Sequence, residues 1–197
     1  LAIDTYFARP DGQGYRSRLP DNGEALQNPH MHLLEALLAL WDVRPDEGLR
    51  ARIEGLLTLF RTRLFVEPCG TLREYFAMDW TPAAGERGQL VEPGHHYEWT
   101  WLLYEARRRI GTDLAGEAER LFAFAERHGL EPATGFIHDC LRADGSVHSD
   151  RHRSWPQTER IKAILSRAEF TGRVDGDGLK TALDALLSRY FAPGPRP

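Results

Sequence analysis

Two histidine–glutamate pairs with helical spacing are the side chains in this 197-residue chain best suited to chemistry. His95 precedes Glu98 by three positions, and His32 precedes Glu35 by the same interval. Residues three apart share one face of a helix, so each carboxylate can orient its histidine and favour the imidazolium form. An unperturbed histidine titrates at about pH 6.5 and can both accept and donate protons. The pairs therefore predict acid–base chemistry. The simpler interpretation is that these histidines have a structural role at helix starts, beside glutamates of the surface or the core.

A third cluster of polar and aromatic side chains comprises Trp155, Gln157 and Glu159. An indole offers a flat apolar surface to a sugar ring, and amide and carboxylate groups bond to hydroxyls. The alternative is a core tryptophan beside a glutamate that favours the first turn of a helix. We expect these residues to bind substrate if the cluster shares a cavity with the histidines.

The three clusters recur about every 60–65 residues, each beside a proline near the start of a predicted helix, Pro29, Pro93 or Pro156. This interval fits one pair of helices with its connections, so the repeat predicts helical hairpins that are stacked or arranged in a ring. Every first helix would then begin at the same end of the assembly. Side chains that are far apart in sequence would line one cavity.

Hydrophobic periodicity predicts an all-α fold. Short extended segments are expected at residues 71–79 and 136–147, with a tight turn at 143–145. The six predicted helices span residues 31–43, 45–65, 95–111, 114–129, 156–170 and 178–191.

Composition and charge exclude several functions. The net charge of −4 leaves no basic surplus to neutralise phosphates, so nucleic acid is not expected as a partner. The apolar run at 33–41 is interrupted by Glu35 and is far shorter than the ~20 residues that span a membrane. Cys69 and Cys140 are too few and too far apart for a disulfide framework or a zinc knuckle. We expect a reducing, cytoplasmic setting; the sequence pattern makes no prediction of oligomeric state.

Motifs for metals and cofactors are absent from the sequence. Histidines are frequent, at His30, His96, His148 and His152 among others, yet none lies in an H-E-x-x-H motif. Phosphate-binding loops and dinucleotide fingerprints are missing as well. We therefore predict no metal and no cofactor. His30 lies near the opposite side of the helix from His32, so we expect it to have a structural role.

Three stretches carry a resemblance to a known family: 27–36 (QNPHMHLLEA), 93–99 (PGHHYEW) and 155–159 (WPQTE). In this order and spacing they resemble the N-acylglucosamine 2-epimerase superfamily, which includes mannose isomerases and cellobiose 2-epimerases. The resemblance implies an (α/α)6 barrel, a ring of six helical hairpins. Residues 1–197 would form the C-terminal portion of that single catalytic domain, about half of it, and the proline-rich end at 193–197 predicts a truncated chain.

The resemblance also implies roles for individual residues. His95 would be one of two catalytic histidines, with Glu98 as its supporting carboxylate, and His32 would bind the sugar and assist ring opening. We expect the second catalytic histidine and a substrate-binding arginine to lie outside this chain. The residues expected to bind substrate are Asn28, Glu35, Trp155, Gln157 and Glu159.

The predicted function is a sugar isomerase or epimerase that transfers protons by histidine acid–base chemistry through an enediolate. The substrate would be a free or phosphorylated aldohexose, and the resemblance favours the mannose–fructose type. Phosphate recognition would need cavity cations such as Arg151, Arg153 or Arg160. One alternative is an (α/α)-barrel glycoside hydrolase that recruits paired loop acids, Asp79 and Asp139. Another is a non-catalytic carbohydrate-binding fragment.

Overall fold

The computed structural model describes residues 1–66 and 69–191 of the chain. The proline-rich segment 193–197, on which the prediction of truncation rests, lies outside the described residues. Within the described ranges the fold is mainly helical, and α2 to α7 correspond to the six predicted helices. The helices are α1 (Ala2–Tyr6), α2 (Gln27–Val43), α3 (Glu47–Leu59), α4 (Pro93–Ile110), α5 (Ala115–Phe124), α6 (Ser154–Thr171) and α7 (Gly176–Leu186).

Six of the helices form three hairpins, α2–α3, α4–α5 and α6–α7, that lie side by side. Helix α4 occupies the centre, because it packs against α2 and α6 as well as against its own partner α5. Accordingly, every residue from Pro93 to Thr100 is buried. The predicted repeat of helical hairpins is confirmed, and α2, α4 and α6 form one layer whose N-terminal ends carry the three sequence clusters.

The three prolines lie inside their helices rather than before them. Helices α2, α4 and α6 begin at Gln27, Pro93 and Ser154, so the predicted starts were too late by two to four residues. Proline is tolerated in a first turn because the N–H groups there have no intrahelical acceptor.

Three small antiparallel sheets connect the helices, where the sequence predicts only two extended segments. The tight turn at 143–145 is confirmed, with Gly145 at a φ of +88° between β6 and β7. Strand β1 pairs with β4 and ends where α2 begins, so this sheet positions the start of that helix. The pairs are β1 (Glu24–Leu26) with β4 (Tyr75–Ala77), β2 (Phe65–Val66) with β3 (Thr71–Leu72), and β5 (Leu90–Val91) with β6 (Cys140–Arg142), which also pairs with β7 (Val147–Ser149).

The main core lies between α2, α3 and α4. Its centre includes Trp99, whose ring stacks on Phe60 with centroids 4.4 Å apart. His30 has the structural role expected of it: it is buried, bonds through Nδ1 to the Leu26 carbonyl and accepts the Tyr15 N–H at Nε2. Within the described ranges, no helix is both long and apolar enough to cross a membrane.

Candidate active site

A cavity of about 470 Å³ opens where α2, α4 and α6 begin. Every predicted catalytic or substrate-binding residue except Gln157 lies in its wall, so residues from three distant stretches share one space. The wall comprises Asn28, His32, Glu35, Glu92, His95, Glu98, Arg153, Trp155, Glu159 and Lys162.

His95 is paired with a carboxylate that the sequence analysis did not identify. Its Nδ1 lies 2.9 Å from Oε1 of Glu74, and both side chains are buried. Burial by itself lowers the pKa of His95, but the charge and hydrogen bond of Glu74 outweigh burial and raise this pKa to about 9. Burial likewise opposes the charge on Glu74, yet the neighbouring imidazolium lowers the pKa of that carboxyl. The two form an imidazolium–carboxylate pair at neutral pH.

The resemblance implies that Glu98 is the supporting carboxylate of His95; in the structure Glu74, and not Glu98, is hydrogen-bonded to the ring, while Glu98 favours its charged form from a greater distance. Glu98 lies on the same helix face as His95, but its Oε1 is 3.4 Å from Nδ1 of His32 on α2. Because the two residues share a helix face, Glu98 lines the cavity together with His95. It is not hydrogen-bonded to the His95 ring, whose Nδ1 is bonded to Glu74. Burial, followed by the charge of Glu159, raises the pKa of Glu98.

Gln27 completes the surroundings of His95. Its side chain is fully buried, and its Nε2 lies 2.8 Å from Oε2 of Glu74 and 2.9 Å from Nδ1 of His95. Its Oε1 accepts a hydrogen bond from Nε1 of Trp99 at 2.8 Å. The amide thus connects the ion pair to the helical core.

His32 lies between two carboxylates. Its Nδ1 is 3.4 Å from both Glu35 and Glu98, and its side chain is 54% exposed. The predicted pairing of His32 with Glu35 is therefore present. One ligand atom from each of these three residues lies within 4.8 Å of the other two, a nitrogen and two oxygens that a divalent cation could accept. The expectation that the reaction needs no metal remains a prediction.

The α6 cluster forms the opposite part of the wall. The Trp155 ring lies against the His95 ring, with centroids 5.0 Å apart. Glu159 is bonded to Lys162 at 2.6 Å, although burial raises the pKa of this carboxyl. Trp155 thus presents an aromatic surface beside His95.

Gln157 does not line the cavity, contrary to the predicted role in substrate binding. It is buried, its Oε1 accepts the Ile137 N–H at 2.8 Å, and its Nε2 donates to the carbonyls of Ile137 and Arg153. These backbone bonds occupy the amide and connect α6 to the preceding loop. We therefore assign Gln157 a structural role.

The arginines proposed for phosphate recognition are already engaged or lie elsewhere. Arg153 reaches the cavity, but its guanidinium bonds to Glu92 at 2.9 Å and to Asp139 at 3.1 Å. Arg160 is buried and paired with Glu126 at 2.7 Å. Arg151 lines a separate cavity of about 430 Å³.

The loop acids proposed for a hydrolase do not line the cavity. Asp79 accepts hydrogen bonds from the backbone and hydroxyl of Thr81 in an exposed turn. Asp139 is held by Arg153. Neither carboxylate is presented to a sugar in this cavity.

Four functional candidates were missed by sequence reasoning: Gln27, Glu74, Glu92 and Lys162. Glu92 directly precedes the Pro-Gly-His-His stretch, and Lys162 follows Glu159 by three residues, so helical spacing could have identified both. Gln27 opens the stretch used for the resemblance and could have been identified there. Glu74 lies in a connection between strands and has no local signal.

Comparisons with known proteins identify the family of this chain. The family model described as N-acylglucosamine 2-epimerase (GlcNAc 2-epimerase) matches residues 2–193. A protein from Rhizobium meliloti named mannose-6-phosphate isomerase is 41% identical over 147 residues, covering 73% of this chain and 38% of the relative. A cellobiose 2-epimerase from Bacteroides fragilis is 28% identical over 167 residues, covering 83% of this chain and 41% of the relative.

The fold is shared with a solved D-mannose isomerase. That structure superposes with a TM-score of 0.78 at 22% identity, over 93% of this chain and 51% of the other. The predicted (α/α)6-barrel class is thereby confirmed, and the chain covers about half of such a barrel. It spans about two fifths of the length of the curated relatives.

Proposed function

Because the chain belongs to the N-acylglucosamine 2-epimerase family, we propose that it is the part of a sugar isomerase or epimerase that supplies one proton-transfer histidine, His95. The observation that carries this proposal is the His95–Glu74 pair in the wall of a cavity formed by three helix starts. The proposed substrate is an aldohexose of the mannose–fructose type. The activity is proposed for the complete protein, since the chain covers about half of the barrel.

The proposed reaction moves a proton at the carbon beside the sugar carbonyl. A base removes the C2 proton of the open-chain aldose, and the electrons of that bond form the C1=C2 enediolate. Because the pKa of His95 is about 9, the ring enters as an imidazolium and donates from Nε2. Protonation at C1, with transfer of the O2 hydroxyl proton to O1, gives the ketose. Protonation on the opposite face of C2, with the carbonyl re-forming at C1, gives the epimer. The base belongs to the rest of the barrel, and the substrate's own carbonyl acidifies C2.

Cyclic sugars must open before this step, and His32 is the proposed ring-opening group. Opening moves the proton of the anomeric hydroxyl to the ring oxygen. His32 is exposed to the cavity, and its Nδ1 lies 3.4 Å from a carboxylate oxygen of both Glu35 and Glu98, so its ring is placed to pass a proton between the two sugar oxygens. Trp155 offers the apolar surface for the sugar, and Asn28 lies in the same wall to bond a hydroxyl.

We further propose that the substrate is unphosphorylated. Four carboxylates face the cavity, from Glu35, Glu92, Glu98 and Glu159. Among the lining residues described, the two permanent cations, Arg153 and Lys162, are already paired with acids. A phosphate dianion would meet repulsion here, whereas sugar hydroxyls can donate to the same oxygens. Turnover of mannose well above that of mannose 6-phosphate is expected; the reverse would contradict this specificity.

The test is proton NMR of mannose, fructose and glucose incubated in deuterated water with the complete protein. Deuterium at C1 or C2, together with a new ketose or epimer, supports the proposal and names the reaction. His95→Ala should abolish formation of the ketose or epimer, whereas the matched control His148→Ala, on strand β7 and outside the cavity wall, should leave it unchanged. Absence of exchange with every sugar would reject the isomerase and leave the carbohydrate-binding alternative, for which Trp155→Ala should weaken binding.

A further inference from the structure

The side-chain amide of Gln27 has a single consistent orientation. Its Oε1 accepts from Trp99 Nε1, and its Nε2 donates to Glu74 Oε2, both at 2.8 Å. An indole N–H can only donate and a carboxylate can only accept, so turning the amide over would break both bonds. Since Gln27 is fully buried, water cannot replace either partner.

We propose that Gln27 is a positioning residue that holds the Glu74 carboxylate and thereby keeps a proton on Nδ1 of His95, leaving Nε2 as the atom that exchanges protons with the sugar. The Gln27 N–H occupies Oε2 of Glu74, so Oε1 remains for Nδ1 of His95, 2.9 Å away. The amide is in turn fixed to the core through Trp99, which stacks on Phe60. A continuous set of contacts from the core therefore orients the ring.

Two contacts compete for Nδ1 of His95, and they imply opposite tautomers. Gln27 Nε2 lies 2.9 Å from Nδ1, the same distance as Glu74 Oε1. A protonated Nδ1 donates to Glu74, whereas a bare Nδ1 would accept from Gln27 and place the proton of the neutral ring on Nε2. The first arrangement is favoured because a hydrogen bond to a carboxylate is charge-assisted, and because a bare Nδ1 would face the lone pairs of Oε1.

Carboxylates surround the ring, and the two cations in the same cavity wall, Arg153 and Lys162, are paired with Glu92 and with Glu159 of α6. Glu74 is nearest, Glu92 follows at 4.0 Å, and Glu98 contributes from the same helix. All three carboxylates favour the charged ring, but among them Glu74 alone is hydrogen-bonded to Nδ1. The tautomer therefore depends on how that single carboxylate is held.

Nitrogen-15 NMR of histidine side chains in the complete protein, titrated to alkaline pH, tests the assignment. In the wild type, neutral His95 should show a protonated Nδ1 and a bare Nε2. Gln27→Met, which keeps the length of the side chain but removes the amide, should give a mixture of both tautomers. Gln27→Glu keeps an acceptor for Trp99 and puts a second carboxyl oxygen at the site of Nε2, 2.8 Å from Oε2 of Glu74. The two acids must share one proton, which again donates to Glu74, so this variant should retain the Nδ1–H tautomer with a titration point near that of the wild type.

His96 serves as the internal reference for folding. Its Nδ1 faces the Glu92 carbonyl and its Nε2 accepts the Leu72 N–H, each at 3.1 Å, so its signals should not change in either variant. If Gln27→Met fails to fold, the wild-type tautomer and the Gln27→Glu titration still decide the question. A neutral wild-type ring with its proton on Nε2 would overturn the proposal, as would a folded Gln27→Met protein with an unchanged tautomer.

Kinetics provides a second measurement, which rests on the proposed function. Gln27→Met should lower kcat by about 10–100-fold and leave KM nearly unchanged. This loss is a part of the ~10²–10⁴-fold rate increase that acid–base catalysis contributes. Gln27→Glu should recover part of kcat with a pH profile close to that of the wild type, because the acid that replaces the amide shares its proton with Glu74. An unchanged kcat in Gln27→Met would overturn the positioning role. If the wild-type protein shows the predicted tautomer but turns over no sugar, the positioning role is supported and the proposed isomerase function is rejected.

Discussion

Nδ1 of His95 lies 2.9 Å from Oε1 of Glu74, a residue 21 positions earlier in the chain. Two backbone hydrogen bonds place this carboxylate: the Glu74 N–H donates to the Leu90 carbonyl at 3.1 Å, and the Gln27 N–H donates to the Glu74 carbonyl at 3.3 Å. Glu74 is thus held between the strands that lead into α2 and α4. The same connections that start both helices also position the partner of the histidine.

Glu74→Gln should lower the pKa of His95 from about 9. Burial, which lowers the pKa, persists in the variant, while the largest opposing charge is removed. NMR titration of His95 measures the shift, and kcat at neutral pH should fall because a smaller fraction of the ring is protonated. Glu86→Gln, beside the surface residue His148, is the matched control and should leave His95 unchanged. A Glu74→Gln protein in which His95 still titrates near 9 would contradict the ion pair.

The pair should also make stability depend on pH. Because the folded pKa of His95 is raised from 6.5 to about 9, its contribution is fully present below pH 6.5 and is lost as pH rises through about 9. Glu74 has the opposite dependence at acid pH, because its folded pKa is lowered. Its contribution to stability is present above pH 4.5 and is lost as pH falls through the lowered pKa of the folded state.

Thermal unfolding of wild type and Glu74→Gln across pH checks this linkage. The difference in Tm between them should be largest between about pH 4.5 and 6.5, where both contributions are complete, and should shrink toward alkaline pH. A difference that does not vary with pH would argue that the pair contributes packing rather than charge.

Gly94→Ala should destabilise the contact between α4 and α6. A Cβ at Gly94 would clash with Cζ3 of Trp155 and would lie 3.1 Å from Cβ of Pro156. Overpacking of this kind costs about 1–3 kcal/mol, more than the gain of roughly 0.5–1 kcal/mol expected for glycine to alanine in a helix. Denaturant unfolding should show the loss, while Gly55→Ala in α3, with no atom within 4 Å of the new Cβ, should be neutral or stabilising. Equal stability of the two variants would contradict the close approach.

His32→Gln should impair ring opening more than proton transfer. The variant should lose most of its turnover with a cyclic aldohexose, yet keep its rate of proton exchange with a three-carbon aldose that cannot close a ring. The physical reason is that His32 is more than half exposed to the cavity and flanked by carboxylates, away from the His95–Glu74 pair. Deuterium incorporation measured for both sugars decides the matter, and an equal loss with each would place His32 in proton transfer instead.

Chelation should leave turnover unchanged. In the proposed reaction the carbonyl acidifies C2 and histidines move the protons, so no step uses a cation. Added Zn²⁺ should instead inhibit, because His32, Glu35 and Glu98 offer it a nitrogen and two oxygens in the substrate cavity. Activity that is lost in EDTA and restored by a divalent cation would overturn this prediction.

The sequence alone determined the helical elements and most of the cavity wall. Periodicity identified six helices, and the repeat of three clusters indicated that His32, His95 and Trp155 share one end of the fold, because local spacing sets which face a side chain occupies. The predicted helix starts were less accurate. Proline was used to mark the start of each helix, but it is compatible with the first turn and lies within the helix.

Only the tertiary structure decided which groups bond to which. Helical spacing paired His95 with Glu98, but a shared face gives proximity without specifying the partner, and a carboxylate from the connection between β3 and β4 occupies Nδ1 instead. Glu74 could not be identified locally, because its position follows from strand pairing between segments far apart in sequence. Gln157 was misassigned for the same reason. Folding brings the backbone of Ile137 to its side chain, and the Ile137 N–H and carbonyl form hydrogen bonds with the Gln157 amide. Residue types and hydrophobic periodicity report on structure over a few neighbouring positions. Hydrogen-bond partners from different segments depend on how those segments pack together in the folded chain.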